Sequence, residues 1–232
     1  EHVIGNTYYL TRLYPPKPLK LNPLQLTISG DISSAAFLVG AAAITPNSDV
    51  TLQNVGLNPT RTGLLDALRA MGADIQIIPR DENQGEPVGD IRVRYAPLRG
   101  TQISGALVVR MIDEFPVFAV AASFAQGETT VSQAEELRHK ESDRIHALCT
   151  ELDKLGVAIS ETRDGFVIQG GGLPHGGDAE PHNDHRLAMA MAVAGLGSQN
   201  PVRLQGGEIV TESFPEFTTK LRELGADIKI EM

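Results

Sequence analysis

The chain repeats one unit three times, and no other feature constrains its fold as strongly. Each copy opens with an aspartate followed by a run of small apolar residues. These are Asp31-Ile-Ser-Ser-Ala-Ala-Phe-Leu-Val-Gly-Ala-Ala-Ala43, Asp113-Glu-Phe-Pro-Val-Phe-Ala-Val-Ala-Ala-Ser-Phe-Ala125 and Asp184-His-Arg-Leu-Ala-Met-Ala-Met-Ala-Val-Ala-Gly195. Each reads as a helix with Asp near its N-cap. Each is apolar nearly all round, which predicts burial on every side. A short strand follows each run: Asp49-Val-Thr-Leu52, Thr129-Thr-Val131 and Pro201-Val-Arg-Leu204. Next comes an amphipathic helix with a shared ending, Leu68-Arg-Ala-Met-Gly72, Leu152-Asp-Lys-Leu-Gly156 and Leu221-Arg-Glu-Leu-Gly225. Gly at that place ends a helix, and a strand is expected directly after it. The first two copies add a further strand, Ile91 to Tyr95 and Phe166 to Gln169.

Three such units predict an α/β (α+β) lobe with its buried helices inside and its sheets outside. The repeats fall at about 26–97, 98–170 and 178–232, giving one domain over 26–232. Residues 1–25, with Tyr8, Tyr9, Tyr14 and Pro15-Pro16-x-Pro18, read as an extended connector or the remnant of another lobe. The chain opens at Glu1 without an initiator methionine, so a fragment is expected.

Composition narrows the function. The 232 residues carry a formal net charge of −9 and no basic stripe, which argues against general nucleic-acid binding. A local cleft can still attract a small anion. One cysteine, Cys149, allows no internal disulfide and suits a reducing, cytoplasmic setting. Its helical spacing with Ile145 and Leu152 marks a buried structural thiol. No signal peptide is evident and no apolar run is long enough to span a bilayer; the longest, Leu187 to Leu196, reads as a core helix.

Charged residues gather where helices begin. Leu137-Arg-His-Lys-Glu-Ser-Asp-Arg144 is expected to open the second amphipathic helix, with Lys140, Glu141 and Arg144 sharing its first turn. Arg186 sits in the first turn of the third buried helix. Cations there oppose the helix macrodipole, so a bound anion is expected to offset them. On that reasoning, replacing Arg144 or Arg186 with Gln should leave the free chain as stable as before. The alternative is an exposed salt-bridge cluster. His182, Asp184 and His185 have the chemistry of metal ligands, but the spacing suits no strong zinc pattern and anion binding is the better reading. Asp113 reads either as an N-cap or as a base, with Met111 and Ile112 placed to desolvate it. Asp31 and Asn58-Pro-Thr-Arg-Thr62 read as capping and turn formation. Gly170-Gly-Gly172 and Gly176-Gly177 lack a phosphate-loop signature and read as a flexible loop.

Together these motifs resemble the enolpyruvyl transferase family. The matching pieces are Gly30-Asp-x-Ser-Ser-Ala35, Asn58-Pro-x-Arg-Thr-Gly63, Met111-Ile-Asp-Glu-x-Pro116, Glu136-Leu-Arg-x-Lys-Glu-Ser-Asp-Arg144, Asp184-His-Arg-x-Ala-Met189 and Ser213-Phe-Pro-Glu-Phe217. They point to the branch acting on shikimate 3-phosphate rather than on UDP-N-acetylglucosamine, and most resemble its bacterial glyphosate-tolerant members. The resemblance implies a two-lobed enzyme with three βαβαββ units per lobe. It implies transfer of the enolpyruvyl group of phosphoenolpyruvate to the 5-hydroxyl of shikimate 3-phosphate, with phosphate released, no cofactor or metal, and glyphosate as an inhibitor. Asp113 and Glu141 would be the catalytic proton carriers. Arg144 and Arg186 would hold the phosphoenolpyruvate carboxylate, and Lys140 would face shikimate 3-phosphate. His185, Asp31 and Glu212 are further candidates.

Departures from the family pattern accompany the match. The chain has about half the family length, so an N-terminal lobe with its own ligands is missing, and inactivity alone is expected. Glu212 stands where many members carry a lysine toward the phosphoenolpyruvate phosphate. No role is implied for His139 or for Glu180-Pro-His182. The alternative from another class is a non-catalytic anion-binding or regulatory module that keeps the fold.

Overall fold

The computed structural model describes residues 2–4, 7–9, 14, 27–80 and 85–230. Three helices form the interior: α1 (Ile32–Ile44), α4 (Phe115–Ser123) and α6 (His185–Gly195). They pack against one another, as their all-round apolar sequences require. All of α4 is buried, and α1 is buried except at Ser34. Edge-to-face ring pairs join Phe37 to Phe217 and Phe115 to Phe166 across layers, and Phe115 to Phe118 within α4.

Sheets flank this helical core. In the first copy β3 (Asp49–Gly56), β4 (Asp74–Pro79) and β5 (Val88–Arg94) form an antiparallel sheet in the order β3-β5-β4. In the second, β6 (Gln102–Ile103), β7 (Gly127–Val131), β8 (Ala158–Thr162) and β9 (Gly165–Gly170) run in the order β6-β7-β9-β8, with β6 parallel to β7. In the third, β10 (Gly177–Ala179) pairs in parallel with β11 (Val202–Leu204). The outer helices are α2 (Gly63–Ala70), α5 (Arg144–Lys154) and α7 (Phe217–Glu223), with a short α3 (Ala106–Arg110) before α4.

The three amphipathic helices end in one geometry. Gly72, Gly156 and Gly225 have φ of 95°, 83° and 100°. In each case the glycine N–H and the next N–H reach back to the carbonyls three and five residues earlier: Gly72 to Arg69 and Ala73 to Leu68, Gly156 to Asp153 and Val157 to Leu152, Gly225 to Arg222 and Ala226 to Leu221. That left-handed cap strains any residue with a Cβ, which is why glycine recurs there.

The structure differs from the sequence reading in four places. Residues 226–230 form no strand: in the first two copies the strand after the amphipathic helix pairs with a further strand of its own copy, β5 or β9, and among the described residues the third copy has no such strand. A strand signal is only half of a strand; the other half is an edge to join. Gly170 ends β9 and Gly177 opens β10, so neither lies in a free loop. Lys140–Asp143 lie in a bend between a 3-10 helix (Glu135–His139) and α5, not in a helical first turn. Within the stretch read as a connector, β1 (His2–Ile4) and β2 (Thr7–Tyr9) pair antiparallel; Pro15, Pro16 and Pro18 lie outside the described residues.

Close approach of α1 to α4 depends on Gly40, where an added Cβ would overlap the Val117 side chain. We expect Gly40→Ala to lower stability by about 1–3 kcal/mol through overpacking. The same change in a Val117→Ala background should cost much less. Urea melts of the four variants measure the coupling; additive losses would show that the two helices do not meet there.

Candidate functional site

Helix starts from the second and third copies converge on one spot. Arg144 is the first residue of α5, Arg186 the second of α6, and Asp113 lies just before α4. Arg144 is completely buried. Its Nε donates to Asp184 Oδ2 at 2.7 Å, and its Nη2 donates to Glu141 Oε2 at 2.6 Å and to Asp184 Oδ1 at 3.3 Å. Asp184 is also fully buried and caps α6, accepting from the N–H groups of Arg186 and Leu187. Burial pushes its carboxyl up, but the Arg144 guanidinium and those two N–H groups outweigh this and hold it below the usual range.

This geometry corrects the expectation drawn from the macrodipole. The charge of Arg144 at a helix N-terminus is matched from inside the protein, by Asp184 and Glu141, and needs no ligand for compensation. One donor is left over: Arg144 Nη1 is buried without a hydrogen-bond partner, 3.6 Å from Asp113 Oδ1. Arg186 is held more loosely, its Nη2 3.4 Å from Asp113 Oδ2. Two guanidinium groups therefore face one carboxylate, each with bonding capacity in reserve.

Asp113 is not an N-cap. Glu114 occupies that position in α4 and makes no side-chain cap bond, which leaves the Asp113 carboxylate free to face the arginines. Met111 is buried as anticipated, yet the Asp113 side chain stays 30% exposed. The desolvated carboxyl is that of Glu114, 2% exposed, which accepts from Ser33 Oγ at 2.5 Å. Burial pushes it above the usual range, opposed by the Ser33 bond and the charges of Arg186 and Arg61, with Asp113 adding to the rise. Ser33 in turn accepts from Arg61 Nη2 at 2.8 Å.

The remaining sequence candidates are placed as follows. Lys140 is half-buried in the bend before α5 and has no ion pair among the described residues. Glu141 is on the same bend and held by Arg144. Asp31 caps α1 through Ser34 N, 3.9 Å from Arg61, and stays at the rim. His185 opens α6, with Nδ1 4.0 Å from Glu212 at the end of a 3-10 helix (Gly207–Glu212). The would-be metal ligands are taken up separately, His182 by Glu151 and Asp184 by Arg144. Among the described residues no group of three or more His, Cys, Asp or Glu is placed to hold a metal. A cleft of about 770 Å³ is lined by Glu180, His182, Asn183, Gln205, Glu208 and Glu212 among others. Its carboxylates make it a poor anion site, and the arginines lie outside it.

Sequence reasoning missed Glu114, Ser33, Arg61, Arg138 and Glu151. Arg138 spends its guanidinium on the Arg163 and Thr162 carbonyls and on Asp143 and Glu161, which fixes the bend carrying Lys140 and Glu141. A carboxylate at the start of an all-apolar helix was the available signal for Glu114. For Glu151 it was a spacing of seven from Arg144 on one helix face. Cys149 is a buried thiol whose pKa burial pushes up to about 12, as its spacing implied.

The family description EPSP synthase (3-phosphoshikimate 1-carboxyvinyltransferase) matches residues 3–221. The chain belongs to the EPSP synthase family. It is 53% identical over 200 residues to the 3-phosphoshikimate 1-carboxyvinyltransferase of Desulforudis audaxviator, covering 86% of this chain and 47% of that one. To the protein of the same name from Roseiflexus castenholzii it is 50% identical over 222 residues, covering 96% and 51%. Its fold superposes on EPSP synthase from Acinetobacter baumannii with a TM-score of 0.86 at 40% identity, covering 89% of this chain and 48% of that one. A more distant likeness, to the enolpyruvyl transferase NikO of Streptomyces tendae, has a TM-score of 0.66 at 17% identity and shows the fold alone. The chain thus spans about half the length of the EPSP synthases it matches. Among the described residues no helix is long and apolar enough to cross a membrane.

Two stability outcomes follow from the geometry. Arg144→Gln leaves Asp184 buried without its cation and should destabilise the chain by about 3–5 kcal/mol. Arg186→Gln, losing one loose contact, should change stability by under about 1 kcal/mol. Denaturant melts separate the two; equal effects would contradict the assigned pairing. Glu114→Gln tests the raised carboxyl. A group with a raised folded pKa stabilises fully below its unfolded value, about 4.3, and that contribution is lost as pH rises. The variant should therefore melt with wild type near pH 4 and above it by a margin growing toward pH 8. A margin independent of pH would show that Glu114 does not titrate in this way.

Proposed function

We propose that the chain is one lobe, residues 26–232, of a two-lobed EPSP synthase, with residues 1–25 belonging to the link with the other lobe. The reaction is transfer of the enolpyruvyl group of phosphoenolpyruvate to the 5-hydroxyl of shikimate 3-phosphate. The observation that carries this reading is the convergence of Arg144 Nη1 and Arg186 Nη2 on Asp113, at 3.6 and 3.4 Å, with Glu141 also held by Arg144. A carboxylate of phosphoenolpyruvate laid between the two guanidinium groups would use their spare donors and draw them from Asp113. Asp113 would then be released as a base.

In this reading Asp113 takes the proton of the 5-hydroxyl as its oxygen bonds to C2 of phosphoenolpyruvate. Glu141, 44% exposed and open to protonation from solvent, delivers a proton to the methylene carbon, giving a tetrahedral adduct. Loss of phosphate from C2, which carries off the proton held by Asp113, and return of a methyl proton to Glu141 restore the double bond, now on shikimate 3-phosphate. Lys140, unpaired among the described residues, faces the developing negative charge. Glu212 leaves the phosphate leaving group without the lysine many members provide there, so its contacts come from elsewhere in the enzyme. Glyphosate, an anionic molecule, would compete at the arginines. A cytoplasmic enzyme of aromatic amino acid biosynthesis is the corresponding physiological role.

Catalysis needs groups fixed on both sides of the substrates. The 232-residue chain alone is therefore expected to release no phosphate from phosphoenolpyruvate plus shikimate 3-phosphate. In the two-lobed enzyme, Asp113→Ala and Glu141→Ala should each lower kcat by roughly a hundred- to ten-thousand-fold with little change in KM. Steady-state kinetics decide the matter. If both changes chiefly raise KM, the residues bind rather than transfer protons. A site that binds phosphoenolpyruvate in the assembled enzyme without any turnover would favour the regulatory-module reading.

A further inference from the structure

Glu151 is a completely buried carboxylate on α5 that the proposed reaction does not use. It lies seven residues after Arg144, two helical turns along the same face. Its oxygens accept from Lys154 Nζ at 2.9 Å, from Glu180 N at 3.0 Å and from His182 Nε2 at 2.6 Å. Burial alone would push its carboxyl up, but these donors and the charge of Lys154 outweigh burial and hold it below the usual range. With Glu151 ionised, Nε2 of His182 carries the proton and donates it.

Glu180 and His182 belong to the segment that leads into α6. Pro181 O accepts from Asp184 N at 2.8 Å, closing a tight turn. Its central residues, His182 and Asn183, both have positive φ, 50° and 58°. This pattern is that of a turn dominated by Gly, Asn and Asp, and two successive non-glycine residues at positive φ are uncommon. The bond to Glu151 holds His182 in it. The next residue, Asp184, both caps α6 and grips Arg144. Helix α5 therefore holds the segment at two points with opposite charges: Glu151 on its near end and Arg144 on its far end. The position of Arg186 relative to Arg144 depends on how that segment is held.

We propose that Glu151 is a positioning residue, which through His182 and the Glu180 N–H sets the turn before α6 and so places Asp184, Arg144 and Arg186 for an anion. The clause concerning the anion rests on the function proposed above; the positioning of Arg144 by the turn does not.

The discriminating variant is His182→Asn. Asparagine tolerates the left-handed backbone but is too short to reach Glu151, so the bond is lost without added strain. Lys154→Met is the control, removing another Glu151 donor that does not touch the turn. The first readout is the Arg144 Nε–H resonance in a nitrogen-15 spectrum of the chain, buried in wild type and bonded to Asp184. His182→Asn should shift it and speed its solvent exchange by on the order of ten-fold, while Lys154→Met leaves it in place. An unchanged resonance and exchange rate in His182→Asn would overturn the proposal, whatever happens to ligand binding. The second readout is phosphoenolpyruvate titration of the two-lobed enzyme. There His182→Asn should weaken binding by on the order of ten-fold, and Glu151→Gln by a similar factor. If wild type binds and the variant binds equally well, alongside a shifted resonance, the placement of the arginines for an anion is overturned. If wild type binds no phosphoenolpyruvate while the resonance still shifts, the proposed function fails and the positioning role stands.

Discussion

Arg144 carries a full positive charge into the interior, at the end of a helix where the macrodipole is already positive. Nothing about the apolar helices around it would tolerate this unaided. The partner is Asp184, equally buried, whose carboxylate is shared between the Arg144 guanidinium and the first N–H groups of α6. That single ion pair fixes the start of α5 against the start of α6. It compensates a buried cation, caps a helix and leaves one guanidinium nitrogen without a partner beside Asp113. The remaining site geometry is built outward from it.

Triplication explains why such a site can exist. Each copy delivers a buried helix whose N-terminus carries polar groups, and packing those helices together brings their starts close. The first copy uses its start for structure: Asp31 caps α1, and Ser33 binds Glu114 of the second. The second and third supply Asp113 and Arg186, and α5 adds Arg144. Once the repeats diverge, equivalent positions can hold unlike chemistry. Asp31, Asp113 and Asp184 look alike in sequence, yet two cap helices and the third is left free by Glu114.

Much of this was legible in the amino-acid order. The buried helices follow from their all-round apolar runs, and the ends of the amphipathic helices follow from Gly72, Gly156 and Gly225. Arg144 and Arg186 stand at helix starts as their motifs suggest, whereas Lys140 and Glu141 lie in a bend and not in a helical turn. What could not be read is which charge meets which. Arg144 looked like a ligand-seeking cation because its carboxylate partner lies forty residues away on another helix. Glu114 and Glu151 carried only indirect signals, the start of an all-apolar helix and a shared face with Arg144, and neither says which donors meet the carboxylate in the interior. Residues 226–230 carry a strand pattern, but pairing depends on which edge the sheet has free.

The central claim is that the spare capacity of Arg144 and Arg186 is reserved for the carboxylate of a small anion. The most direct measurement is a crystal structure of the two-lobed enzyme with phosphoenolpyruvate bound. The account predicts carboxylate oxygens at about 2.9 Å from both Arg144 Nη1 and Arg186, typical of charge-assisted hydrogen bonds. It also predicts that Arg186 has moved off Asp113 while the Arg144–Asp184 pair is intact. A carboxylate bound elsewhere, with both arginines still facing Asp113, would contradict it.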